Sequence, residues 1–134
     1  HDIDVISEAS DGYECLNLIN KTHPDVVLLD INMPNLDGLQ VLSIMKQQKM
    51  KSKVIMLTIH KDVDYLIEAL DAGCDGYVLK DSDSETLKKA IFDVYNGETF
   101  IEPDELYVSA VLILPTHSIR TESVQVLCLL QSLR

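Results

Sequence analysis

The chain has 134 residues, formal net charge -11, 46% hydrophobic and 25% charged residues, which bounds it to one globular domain with a single core. So acidic a balance argues against this segment gripping nucleic acid, because binding to a phosphate backbone needs a basic face. Cys15, Cys74 and Cys128 lie far apart without Cys-x-x-Cys or Cys/His spacing, so neither a disulfide framework nor a zinc site is expected. No apolar run approaches the roughly 18 residues of a membrane span, and no basic leader precedes an apolar stretch.

The first hundred residues alternate short apolar runs with amphipathic stretches, the rhythm of a parallel sheet covered by helices on both faces. Val5 and Ile6 belong to a first short strand, Asp11 and Gly12 mark a turn, and a helix follows with Leu16 and Ile19 on one face. Pro24 leads into Asp25-Val26-Val27-Leu28-Leu29-Asp30, a continuous apolar run closed by a carboxylate, as in a strand buried on both faces. After the loop Met33-Pro34-Asn35-Leu36-Asp37-Gly38, Leu39, Leu42 and Met45 repeat at helical spacing. Lys53-Val54-Ile55-Met56-Leu57-Thr58 is the next buried strand. Val63, Ile67 and Leu70 then give a helix stripe that Gly73 ends. Gly76-Tyr77-Val78-Leu79-Lys80 reads as a strand, and Ser82 with Glu85 as a capping box. The helix so opened has Leu87, Ile91 and Val94 buried and stops at Asn96-Gly97. Residues 98–106 read as a loop, residues 108–114 as an apolar β-branched strand, and residues 118–133 as a helix.

In open parallel α/β sheets, functional groups gather at the carboxyl ends of the strands. Three successive strands here end in Asp30, Thr58 and Lys80. Each alone has an ordinary explanation: a turn or cap residue, β-propensity, a solvated charge. Together their chemistries complement one another for phosphoryl transfer to a carboxylate. Asp30 is the candidate nucleophile, Thr58 a hydroxyl donor to a phosphoryl oxygen, and Lys80 a cation that offsets the charge.

The segments Val26-Val27-Leu28-Leu29-Asp30-Ile31-Asn32-Met33-Pro34-Asn35-Leu36-Asp37-Gly38, Val54-Ile55-Met56-Leu57-Thr58 and Ala72-Gly73-Cys74-Asp75-Gly76-Tyr77-Val78-Leu79-Lys80-Asp81 closely resemble response-regulator receiver domains of bacterial two-component systems. The resemblance covers about residues 1–102. It implies a doubly wound, flavodoxin-like five-stranded parallel sheet and a phosphorylation switch rather than an enzyme. A sensor histidine kinase would donate its phosphoryl group to Asp30, with Mg²⁺ neutralising the oxygens and the Asn32 backbone carbonyl helping to hold the metal. Tyr77 matches the aromatic that swings inward as Thr58 moves toward the phosphate. That movement would reshape the face formed by the family's fourth helix, fifth strand and fifth helix, a plausible homodimer surface. The Leu79-Lys80-Asp81-Ser82 ending is similar to receivers that precede a LuxR/FixJ-type helix-turn-helix. A cytoplasmic transcriptional regulator is therefore expected, touching DNA only through an effector domain not recognisable in this chain.

The family normally begins with a central strand ending in an acidic pair that binds Mg²⁺. This chain begins in what looks like the second strand, which leaves an internal slot in the sheet to be filled. Residues 103–134 are the candidate filler, completing the core of residues 1–102. On that reading residues 108–114 are the absent strand and residues 118–133 the absent first helix, by circular permutation or by exchange between chains, with Pro115 and Thr116 at the acidic positions. A remnant of linker and helix-turn-helix, or an unrelated tail, are the other readings of this segment. Neither slot-filling nor an effector remnant restores the acidic pair, so Mg²⁺ binding at Asp30 should be weak. Three other functions compete: a degenerate receiver acting as a phosphorylation-independent interaction or dimerisation module, a small-molecule or flavin-binding domain of the same doubly wound class, and a hydrolase. The last two lack a Gly-rich phosphate loop and a Ser-His-Asp set.

Overall fold

The computed structural model describes residues 3–59, 62–102 and 124–128. In chain order these form β1 (Ile3–Glu8), α1 (Gly12–Thr22), β2 (Val26–Asp30), α2 (Gly38–Gln47), β3 (Lys53–Thr58), α3 (Val63–Asp71), β4 (Gly76–Leu79), α4 (Ser84–Tyr95), β5 (Phe100–Ile101) and β6 (Val124–Cys128). The strands make one sheet in the order β1-β6-β2-β3-β4-β5, and every pairing is parallel.

β2 shows why the strands have the composition they do. All five of its residues are buried, because both faces of the sheet are covered there and both of its edges are paired. Alternate side chains go to opposite faces. Val27 and Leu29, with Val54, Met56 and Tyr77, pack under Cys15 and Ile19 of α1, Val41, Leu42 and Met45 of α2, and Leu66 and Ala69 of α3. Val26 and Leu28, with Ile55, Leu57 and Val78, pack under Ala90, Ile91 and Val94 of α4.

The slot beside β2 is filled from the same chain and from within the candidate segment of residues 103–134, but by residues 124–128 rather than by the stretch read as its strand. Val124–Cys128 is a strand between β1 and β2, with Val126 paired to both Val5 and Val26. The expected strand over residues 108–114, and Pro115 and Thr116 with it, lie outside the described residues. The helix expected over residues 118–133 is overturned at residues 124–128. Val124, Val126 and Leu127 suit either period, and β1 and β2 offer these residues open edges whose main-chain groups need partners.

Several local readings are also corrected. α3 buries Leu66 and Ala69 rather than Val63, Ile67 and Leu70, and Ile67 is 47% exposed. The stripe is shifted by one position, which the ambiguous apolar spacing permitted. α1 buries Cys15 with Ile19, leaving Leu16 partly covered, and α2 adds Val41 to Leu42 and Met45 while Leu39 is partly covered. α4 adds Ala90, while Leu87 sits at the margin of its core. The cap of α4 is Asp83, whose carboxylate accepts from the Thr86 N–H, so Ser82 is not the capping residue. Gly73 and Gly97 do follow the ends of α3 and α4, at φ of 97° and 91°. The loop expected at residues 98–106 contains β5, which pairs along the outer edge of β4.

Candidate functional site

β2, β3 and β4 are neighbours, so parallel pairing brings the carboxyl ends of all three to one rim. Asp30 closes β2 and Thr58 closes β3. Lys80 follows β4, and its N–H donates to the Thr58 carbonyl at 2.8 Å, which fixes the turn over the end of β3. From there the Lys80 ammonium reaches Asp30 and donates to Oδ2 at 2.8 Å. Asp30 is 5% exposed, so this is a largely desolvated carboxylate beside one cation. Its other oxygen, Oδ1, accepts from the Asn32 N–H at 3.1 Å.

Thr58 is fully buried, and a side-chain hydrogen bond joins it to Tyr77. Tyr77 is 1% exposed, its ring turned into the core beneath α3. Burial pushes its phenol above the ordinary range, and the bond to Thr58 offsets part of that. The five residues singled out from the sequence thus fall at one rim, with Asp30, Lys80 and Asn32 in direct contact and Thr58 and Tyr77 in a second pair beside them.

The loop after β2 is built on close approach. A Cβ at Gly38 would lie 2.1 Å from the Asp30 carbonyl oxygen, so only glycine lets α2 begin against the backbone of the site. The Gly38 N–H donates to the Ile31 carbonyl at 2.9 Å. Asp37 and Gln40 then form a reciprocal capping box that starts α2. Asn35, in the left-handed region at φ 69°, donates from its amide to Asp11 at 3.2 Å and ties this loop to the start of α1. The Asp11 carboxyl is held below the usual range, first by the Glu14 N–H that it caps.

Sequence reasoning gave no role to Glu102. Its carboxylate accepts from the Leu79 N–H at 3.1 Å and from the Ser82 hydroxyl, on either side of Lys80. No local signal marks such a contact, because the partners are 23 and 20 residues away in the chain.

The described residues do not fit a strong divalent-cation site. Among the described residues no three Asp, Glu, His or Cys side chains gather to hold a metal. Both Asp30 oxygens already have donors, and no acidic side chain occurs in the sequence after Glu122, so β6 supplies none.

A parallel doubly wound sheet with this rim of carboxylate, hydroxyl and ammonium is a receiver-type α/β domain. Residues 1–92 match the response regulator receiver domain family, and the chain belongs to that family. It is 42% identical over 97 residues to the uncharacterized transcriptional regulatory protein YhcZ of Bacillus subtilis, a match spanning 72% of this chain and 45% of that protein. It is 35% identical over 97 residues to the nitrate/nitrite response regulator protein NarL of Escherichia coli K12, with the same two coverages, 72% and 45%. The matched part is thus less than half the length of these relatives. Among solved structures, the signal receiver domain of the putative response regulator NarL from Mycobacterium tuberculosis superposes with TM-score 0.68 at 36% identity, covering 70% of this chain and 76% of that one. A LuxR-family two-component response regulator from Aurantimonas gives TM-score 0.72 at 30% identity, covering 79% and 76%.

Proposed function

We infer that this chain is the phosphoacceptor receiver of a two-component response regulator with transcriptional output, a signalling switch rather than an enzyme. The observation that carries this reading is the buried Asp30 carboxylate at the rim, bonded to Lys80 at 2.8 Å, with the Thr58 hydroxyl at the end of the neighbouring strand. An Asp30 oxygen attacks the phosphorus of a phosphohistidine on a sensor kinase, the phosphorus–nitrogen bond breaks, and an acyl phosphate forms. Lys80 moves its charge from the carboxylate to a phosphoryl oxygen. Thr58 exchanges its bond to Tyr77 for one to another phosphoryl oxygen, and that exchange communicates with the α3 side of the sheet. Mg²⁺ belongs to the family's chemistry, but the described residues gather no cluster of three metal-binding side chains, a poor match for it.

Residues 1–102 form the receiver core, with the C-terminal segment contributing to the same domain through β6. DNA would be reached through an effector domain, as the greater length of the transcriptional relatives suggests. The homodimer face of the family corresponds here to α3, β4 and α4. β5 lies along the outer edge of β4, so such a pairing would use helix surfaces that include Ile67 rather than the strand edge. No helix among the described residues is long and apolar enough to cross a membrane. A cytoplasmic location suits a kinase-coupled switch of this kind.

Incubation with acetyl phosphate and Mg²⁺ is the direct test. An added phosphoryl mass on the intact chain, absent from Asp30→Asn, is the expected result. No adduct under conditions that modify an ordinary receiver would leave the second reading, a degenerate receiver that binds partners without phosphorylation. The observation favouring that second reading is the lack of any carboxylate cluster around Asp30 among the described residues.

A further inference from the structure

Lys80 can act on Asp30 only if the turn that carries it is held in place. Residues 80–82 leave β4 at the outer side of the sheet, where a short turn is anchored on its own by a Ser82 N–H to Leu79 carbonyl bond of 3.1 Å. Glu102 adds a second anchor from outside the turn. β5 pairs with β4 as far as the Glu102 N–H, which donates to the Tyr77 carbonyl at 2.9 Å. A ladder continuing in parallel would next give the Leu79 N–H a main-chain carbonyl. The Glu102 carboxylate takes that place at 3.1 Å, and the same oxygen, Oε1, accepts from the Ser82 hydroxyl. One anionic acceptor therefore grips the residue before Lys80 and the second residue after it. Hydrogen bonds to an ionised acceptor are shorter and roughly twice as strong as neutral ones.

A connected chain results: Asp30 to Lys80 by an ion pair, Lys80 to Leu79 and Ser82 along the backbone, and both of those to Glu102. Glu102 in turn directly follows Ile101, the last residue of β5. We propose that Glu102 is a positioning residue that holds Lys80 against Asp30 through the turn of residues 79–82, tying the state of Asp30 to the end of β5. Any change that draws Lys80 off Asp30 then loosens the Glu102 contacts, and loosening Glu102 frees Lys80 by the same coupling. The inference does not require Asp30 to be phosphorylated, so its failure and the failure of the phosphoacceptor reading are separate results.

The test is NMR of the full 134-residue chain, following the Lys80 side-chain ammonium signal and the exchange rate of the Leu79 amide. Glu102→Ala should speed Leu79 exchange about tenfold, as expected for loss of one charge-assisted bond, and should also shift or broaden the Lys80 ammonium signal. Glu102→Gln keeps an acceptor oxygen and should return both readouts toward those of the unaltered chain. A faster Leu79 amide with an unchanged Lys80 ammonium would overturn the proposal, because Glu102 would then be only the end of a strand ladder. Asp30→Asn carries the test from the other end and keeps the residue's shape should Glu102→Ala fail to fold. It should raise Leu79 exchange while Val78 exchange, inside β4, stays the same. An unchanged Leu79 rate in that variant would equally overturn the coupling.

Discussion

Asp30 and Lys80 are not interchangeable as halves of one ion pair, because the Asp30 side chain is 7% exposed and the Lys80 side chain 23%. Removing the cation strands a charge that water hardly reaches, whereas removing the anion leaves a charge on a flexible stem that can turn toward solvent. Lys80→Met should therefore cost about 3 kcal/mol in urea unfolding at neutral pH, and Asp30→Asn clearly less. Equal losses would contradict this account of the site. The thiols provide a second test at this scale. Burial pushes both Cys15 and Cys74 from an ordinary 9.0 to about 12. The unfolded chain thus loses these protons from pH 9 upward while the folded chain keeps them. Stability is complete below pH 9 and drains away between pH 9 and about 12, with the buried Tyr77 phenol adding to the loss at the upper end. Urea midpoints across that range should fall less steeply in Cys15→Ala. In a Cys128→Ser background, a thiol reagent should leave both remaining cysteines unmodified until denaturant is added.

At the scale of elements, the loop between β2 and α2 depends on one glycine. A methyl group at Gly38 meets the backbone of Asp30 itself, not the mobile end of a side chain, so neither partner can move aside without displacing the site. Gly38→Ala should cost about 2 kcal/mol or more and reduce modification of Asp30 by acetyl phosphate, measured by intact mass. The motif Leu36-Asp37-Gly38 is visible in the sequence. That its glycine touches Asp30 is not, because the contact depends on how the loop folds back over the strand end. The stripe of α3 is ambiguous for a related reason. Its apolar residues Val63, Leu66, Ile67 and Leu70 fit more than one face, and only the sheet beneath chooses Leu66 with Ala69.

For the whole molecule, the sheet is continuous because β6 lies between β1 and β2. β6 supplies main-chain partners to β1 and to β2, and Val126, 1% exposed, pairs with both, at the middle of the ladder with β1 and the start of the ladder with β2. Val126→Asp should destabilise the chain by more than about 3 kcal/mol and abolish slow amide exchange in β1, while an exchange pattern in β1 like that of the unaltered chain would show that β6 is not what holds it. The sequence by itself determined a parallel α/β fold and the rim of Asp30, Thr58 and Lys80, since buried strands write continuous apolar runs and parallel strands bring their ends together. Tertiary structure alone decided the rest. Which C-terminal residues fill the slot is chosen by the open edges of β1 and β2, for residues 124–128 carry no signal that separates strand from helix. That Asp30 gains no carboxylate from the strand beside it is a consequence of that choice, because β6 brings no acid to the rim.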